Sequence, residues 1–176
     1  MDKSKPILVA GATGYIAGWI IERLLKQGYN VHATVRDPSK KNKIQHLYDL
    51  ADKSSGQIQF FKADLLESGS FDEAMQGCEI VIHTASPFVV TNYKDAVKDI
   101  IEPAVKGTEN VLDSVNRTES VKRVVLTSSI ASTYGDAVEI QNTANNEFDD
   151  SHWNNTSSET HPPYPYSNVA AERTAW

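Results

Sequence analysis

Gly11, Gly14 and Ala17 follow one another at three-residue intervals in the stretch Lys5-Pro6-Ile7-Leu8-Val9-Ala10-Gly11-Ala12-Thr13-Gly14-Tyr15-Ile16-Ala17-Gly18. Ile7 to Ala10 is a short unbroken apolar run suited to a strand buried on both faces, and from Tyr15 onward apolar residues recur at helical spacing. A glycine turn from buried strand to helix lets backbone N–H groups meet an anion. Gly11 allows the tight exit from the strand, and Gly14 lets the backbone come close to a bound group. The small Ala17 and Gly18 let the helix lie on the sheet. The helix N-terminus adds free N–H groups and a partial positive charge, which suits a diphosphate. A dinucleotide is therefore expected here, on Gly11, Thr13, Gly14, Tyr15 and Ile16. The spacing G-x-x-G-x-x-[A/G] is less specific than G-x-G-x-x-G, and a loop that only turns the chain would use the same glycines.

A second group has the charge to hold a phosphate monoester. The run Thr34-Val35-Arg36-Asp37 closes the next strand-like segment, and Lys40, Lys41 and Lys43 follow it closely. An acid at this place accepts from a ribose 2′-OH, whereas an Arg accommodates a 2′-phosphate. Arg36 comes first and the lysines, Lys43 included, reinforce it, so NADP is expected over NAD. Asp37 keeps NAD open, and a solvated basic start to a helix would look the same. Asp64-Leu65 and His83-Thr84-Ala85-Ser86-Pro87 follow the third and fourth strand-like segments. Ligands of open α/β sheets bind at the carboxyl ends of strands, which makes Asp64, Leu65, Thr84, Ala85, Ser86 and, after the fifth strand, Thr127 cofactor-site candidates. Asp64 would either bond an adenine amino group or cap the following turn. His83 is expected as a packed histidine with no proton chemistry.

The elements that position these groups alternate regularly. The pattern predicts strands over about 6–10, 30–35, 57–62, 79–84 and 121–128, and helices over about 14–27, 39–52, 70–75 and 93–115. Gly28 ends the first helix, and Pro103 breaks or kinks the long one near Ile101 to Glu102. Alternation of this kind implies a doubly wound parallel sheet covered on both faces, a Rossmann-type α/β fold. From about 131 to 163 the chain is rich in Asn, Thr, Ser, Asp and Glu and reads as a long surface excursion, before a last helix at 164–176.

The 176 residues carry a net charge of −6 and a pI near 5.3, which argues against nucleic acid or an anionic membrane as a partner. Cys78 is the single cysteine, so a disulfide framework and a cysteine-rich metal site are excluded, and no metal is expected. The N-terminus runs straight into the first strand and no apolar run reaches membrane-spanning length, so a cytoplasmic protein is expected. A single dinucleotide-binding domain over 1–176 accounts for the whole pattern.

Taken together, the motifs resemble those of extended short-chain dehydrogenases/reductases, in the group of dihydroflavonol, cinnamoyl-CoA and aldehyde/ketone reductases. The resemblance rests on Gly11-Ala12-Thr13-Gly14-Tyr15-Ile16-Ala17, Thr34-Val35-Arg36-Asp37-Pro38, Asp64-Leu65, His83-Thr84-Ala85-Ser86-Pro87, Pro103-Ala104-Val105-Lys106-Gly107-Thr108-Glu109-Asn110-Val111-Leu112, Thr127-Ser128-Ser129 and Tyr164-Pro165-Tyr166-Ser167-Asn168, in family order. It implies hydride exchange between NADPH and a small-molecule carbonyl or alcohol. Ser129, with Ser128 as the neighbouring candidate, and Tyr164 would hydrogen-bond the carbonyl oxygen, and Tyr164 would supply the proton. Thr133, Tyr134 and the Phe88 to Val90 segment are candidates for the mouth of a substrate pocket.

Two departures from the family qualify this expectation. Asn168 stands where the family has a lysine that lowers the Tyr pKa, and a rate loss on the order of 10²–10⁴ follows from losing that charge. Members of the family are also about twice as long, so the C-terminal substrate part is expected to be absent, with a homodimer or another chain completing the fold. A cofactor-binding remnant without turnover, and an epimerase or dehydratase of the same superfamily, are the alternative readings.

Overall fold

The computed structural model describes residues 2–86 and 91–176. The described residues within Met1–Ala85 and Asn110–Thr127 form one compact unit, and those within Ser86–Glu109 and Ser128–Trp176 form a second.

The first unit is built on five parallel strands, β1 (Ile7–Ala10), β2 (Asn30–Val35), β3 (Gln57–Lys62), β4 (Ile80–His83) and β5 (Arg123–Leu126), in the order β3-β2-β1-β4-β5. The register pairs Val9 with Ala33 and Ile82, and His83 with both Ala10 and Leu126. Helices α1 (Tyr15–Lys26), α2 (Lys41–Asp52) and α3 (Asp72–Met75) connect the strands. Strand side chains alternate between two faces, and each face has its own core. Val9, Val31, Ala33 and Val35 pack with Ala17, Ile21 and Leu25 of α1 and with Ile44 and Leu47 of α2. On the opposite face Leu8, Ala10, Phe61 and Val81 pack with Phe71, Ala74, Met75, Cys78 and Val111. Each fully buried Leu, Ile or Phe stabilises the fold by about 1.5–3 kcal/mol. Cys78 belongs to the second core, its Sγ 3.4 Å from both His32 Nδ1 and the Ala74 carbonyl, which the His32 ring approaches at 2.7 Å. Burial pushes the Cys78 thiol up to about 12.

Two expectations change here. Gly18 is not needed for helix-on-sheet packing, because a Cβ at that position would meet nothing within 4 Å; Ala17, 1% exposed, makes the close approach alone. The expected covering of the sheet on both faces also fails at β5, where Val125 is 46% exposed. That strand is also shorter than its apolar pattern, because Val121 and Lys122 turn to donate to Thr118 and Glu79 carbonyls.

In the second unit a π-helical turn (Val97–Ile101) leads into α4 (Glu102–Arg117), whose residues from Asn110 onward belong to the first unit. Pro103 follows directly on the π-helical turn, so the interruption of regular α-helix falls at Ile101 to Glu102, where a break or kink was expected. The excursion after β5 is tighter than an open loop. It contains 3₁₀ turns at Ile130–Ser132, Ala137–Asn142 and Ala144–Asn146, and ends in α5 (Pro163–Ala175). Its hub is Asn154, 2% exposed, which donates to the carbonyls of Ala131 and Ser132 and exchanges hydrogen bonds with Ser157. A Cβ at Gly135 would collide with Thr156 Oγ1 and Asn154 Oδ1, so only glycine passes. Among the described residues no helix is long and apolar enough to cross a membrane.

Candidate functional site

The turn between β1 and α1 is fixed by the neighbouring strands. Gly11 has φ +80°, in the left-handed region, and a Cβ there would lie 2.9 Å from Ala85 Cα. Any side chain would be strained twice over. Gly11 N–H donates to Thr34 Oγ1 at 3.3 Å, and Ala12 N–H to the Thr34 carbonyl at 3.0 Å. Thr34 thereby ties the turn to the end of β2. Thr84 acts from the other side, its hydroxyl donating to the Ala10 carbonyl at 2.7 Å. Gly14 N–H closes the turn on the Gly11 carbonyl at 2.9 Å.

At α1 no side chain caps the N-terminus and the first turn carries no acidic residue. Its opening N–H groups and the helix dipole are accordingly suited to an anion. Thr13, Gly14, Tyr15 and Ile16 are all exposed there, Tyr15 to 82%. A glycine turn that a Cβ would fill, beside an uncapped helix start, fits a dinucleotide diphosphate.

Arg36 follows β2 with its side chain exposed, as does Lys43 on the first turn of α2. Asp37 is held differently. Its Oδ1 accepts from Ser39 N–H at 3.0 Å and from Ser39 Oγ at 2.6 Å, and Lys40 Nζ lies 3.5 Å from Oδ2. These bonds, led by that from the Ser39 hydroxyl, hold the Asp37 carboxyl below its ordinary range. Ser39 was not among the candidates that the sequence suggested, and it puts two hydrogen bonds on one oxygen of the acid at this corner.

The remaining strand ends fall on the carboxyl edge of the sheet, as parallel pairing requires. Asp64 Oδ1 accepts from Leu66 N–H at 2.9 Å and so caps its own turn, while Leu65 packs against the core. Asn110, 8% exposed, braces that loop by donating to the carbonyls of Asp64, Leu65 and Glu67 and accepting from Gly69 N–H. Ala85 lies against Gly11, Ser86 is exposed, and Thr127 N–H donates to the His83 carbonyl at 2.9 Å. His83 is 2% exposed and its Nδ1 has no partner; burial pushes its pKa down to about 4, so it is neutral near pH 7. A packed histidine is what the sequence suggested. Phe88 to Val90 lie outside the described residues, as does Pro87.

The second unit holds the hydroxyl candidates. Ser129 caps the 3₁₀ turn at Ile130–Ser132, its Oγ accepting from Ala131 N–H at 3.2 Å. Ser128 Oγ donates to Glu172 Oε2 and lies 3.1 Å from Ser132 Oγ. The two serines therefore differ chemically: the Ser128 proton is engaged by a carboxylate, whereas Ser129 uses a lone pair and keeps its O–H proton to donate. On α5, Tyr164 and Asn168 are one turn apart. Asn168 Nδ2 donates to the Tyr164 carbonyl at 2.8 Å, and Ser167 Oγ donates to the same carbonyl at 2.7 Å. Tyr164 is half-buried, and Thr133 donates its hydroxyl to the Ile130 carbonyl within the turn. Tyr134 stacks on Phe148 with centroids 5.7 Å apart. Glu172 and Ser132 went unnoticed in the sequence; the four-residue spacing Tyr164, Asn168, Glu172 was the signal available.

A glycine turn at the head of a parallel sheet of this order defines a dinucleotide-binding α/β protein. The chain belongs to the NAD dependent epimerase/dehydratase family, whose model matches residues 7–176. Among characterised proteins it is 54% identical over 125 residues to cinnamoyl-CoA reductase CAD2 of Medicago truncatula, covering 71% of this chain and 38% of that protein. It is 43% identical over 178 residues to a putative anthocyanidin reductase of Ginkgo biloba, covering 96% and 49%. The structure of Gre2 from Candida albicans in complex with NADPH superposes with a TM-score of 0.82 at 31% identity, over 98% of this chain and 52% of that one. These relatives are reductases of the extended short-chain dehydrogenase/reductase superfamily, and the chain spans about half their length or less.

Proposed function

We propose that the chain provides the cofactor side of an NADP-dependent oxidoreductase acting on a small-molecule carbonyl or alcohol. The observation that carries the cofactor choice is the pairing of Asp37 with Ser39 and Lys40 beside an exposed Arg36. The acid that would accept from a ribose 2′-OH is already engaged by Ser39, and the guanidinium that suits a 2′-phosphate is not. A bound NADPH supplies the hydride. Gly11, Thr13, Gly14, Tyr15 and Ile16 hold its diphosphate, Arg36 and Lys43 its 2′-phosphate, and Asp64, Leu65, Thr84, Ala85, Ser86 and Thr127 line the rest of its site. Ser129 donates its free proton to the carbonyl oxygen and Tyr164 acts as the acid.

Asn168 favours a second reading, a dinucleotide-binding module with little turnover. Its amide is bonded within the helix and carries no positive charge to place beside the Tyr164 hydroxyl. A fluorescence titration of the purified chain with NADPH and NADH tests the cofactor claim. Micromolar binding with preference for NADPH is expected, and Arg36→Ala should weaken NADPH about tenfold or more while leaving NADH unchanged. Equal affinities in the parent chain would overturn it.

A further inference from the structure

α5 carries Tyr164, Asn168 and Glu172 at four-residue spacing, which stacks the three along one helical face. The turn that follows β5 is fastened to the last of them. Ser128 Oγ donates to the Glu172 carboxylate and lies 3.1 Å from Ser132 Oγ, and Ser132 is 1% exposed. The same turn is gripped from its other side, where Asn154 Nδ2 reaches the Ala131 carbonyl at 2.8 Å and Asn154 N–H the Ser132 carbonyl at 2.8 Å. Ser129 sits between these two anchors with its Oγ on Ala131 N–H. Glu172 is not serving a neighbouring cation instead, for Arg173 turns to Asn155 at 3.3 Å and to the Trp153 ring at 5.1 Å.

We propose that Glu172 is a positioning residue, which by gripping Ser128 fixes where the adjacent Ser129 hydroxyl stands relative to the helix that carries Tyr164. A charge-assisted bond is directional and stronger than one between neutral groups. Because Ser128 and Ser129 are consecutive, pinning one hydroxyl removes most of the freedom of the next peptide. The role rests on reading Ser129 and Tyr164 as the reacting hydroxyls. It also explains why Ser128, although next to Ser129, is not interchangeable with it.

Hydrogen exchange resolved by residue tests this without substrate or turnover. The reporter is the Ala131 amide, which is bonded to Ser129 Oγ. Glu172→Ala should speed its exchange about tenfold or more, and Ser128→Ala, which removes the same bond from the other end, should do the same. Glu172→Gln, whose amide oxygen accepts the same O–H, should restore most of the protection. Val9 and Ile82 in the sheet should exchange as in the parent throughout, which separates a local loosening from unfolding. In an Asn168→Lys chain reducing an aldehyde with NADPH, Glu172→Ala should lower kcat and leave KM for NADPH unchanged. Ala131 protection that is the same in the parent, Glu172→Ala and Ser128→Ala overturns the proposal. Failure of the Asn168→Lys chain to reduce any carbonyl overturns the proposed reaction instead, and leaves Glu172 to be decided by Ala131.

Discussion

The glycine turn after β1 and the hydroxyl cluster around α5 solve opposite problems. At the turn, the backbone is held by the neighbouring strand ends. Thr34 and Thr84 hold the backbone, Ser39 engages Asp37, and the groups left over are the uncapped N–H groups of α1 and the Arg36 guanidinium. Around α5 the neighbours of the candidate hydroxyls are the groups engaged: Asn168 bonds the helix that carries it, and Ser128 is held by Glu172, while Ser129 keeps its proton. A binding site can be complete when its ligand-directed donors are the only ones left over. A reacting site also needs a charge that tunes the acid, and Asn168 does not supply one.

Breaking the first region should have the largest effect. Gly11→Val places a β-branched residue at φ +80° with its Cβ against Ala85, and should cost about 3 kcal/mol or more while abolishing NADPH binding. Urea unfolding and the fluorescence titration check the two effects together; wild-type affinity in this variant would refute the role of the turn.

His83 sharpens the comparison next, because its buried ring Nδ1, in the unit that carries the glycine turn, has no hydrogen-bond partner. Its pKa falls from 6.5 to about 4 on burial, so the unfolded chain binds the extra proton first as pH drops. Stability should be full above about pH 6.5 and decline toward pH 4 by about 3 kcal/mol from this group. His83→Leu should flatten that part of the profile, measured by urea unfolding at pH 7 and 4.5.

Asn168→Lys acts on the second region alone. It should raise NADPH-dependent carbonyl reduction by on the order of 10² and leave NADPH affinity within about twofold. Initial-rate measurements with NADPH decide it, and an unchanged rate would leave Asn168 without the role given to it.

The sequence carried the sheet well, because β2 and β3 are bounded by Gly and polar turns and show their apolar residues in period two. It carried the glycine turn equally well, since strand, glycines and helix are contiguous there. Long-range polar pairing was not legible. The Ser128 to Glu172 bond joins residues 44 positions apart, and neither type nor spacing marks Ser128 as held and Ser129 as free. The Asp37 to Ser39 bond is local, yet nothing in the residue types alone marks Ser39 as the donor to that carboxylate. Gly18 was over-read because small residues suggest close packing, whereas the space above it is open. The exposure of Val125 has the converse reason: an apolar strand pattern records what a strand can bury, not what covers it.

Cys78 lies beneath α3, out of contact with solvent and with its thiol held in the protonated form. It is the single sulfhydryl of the chain, and only a thiolate reacts readily with disulfides, maleimides or peroxides. An intact molecule should therefore be blind to such reagents. Any adduct would be a timestamp of the moment α3 left the sheet, and the labelling rate would serve as a clock for opening of this core that needs no engineered probe.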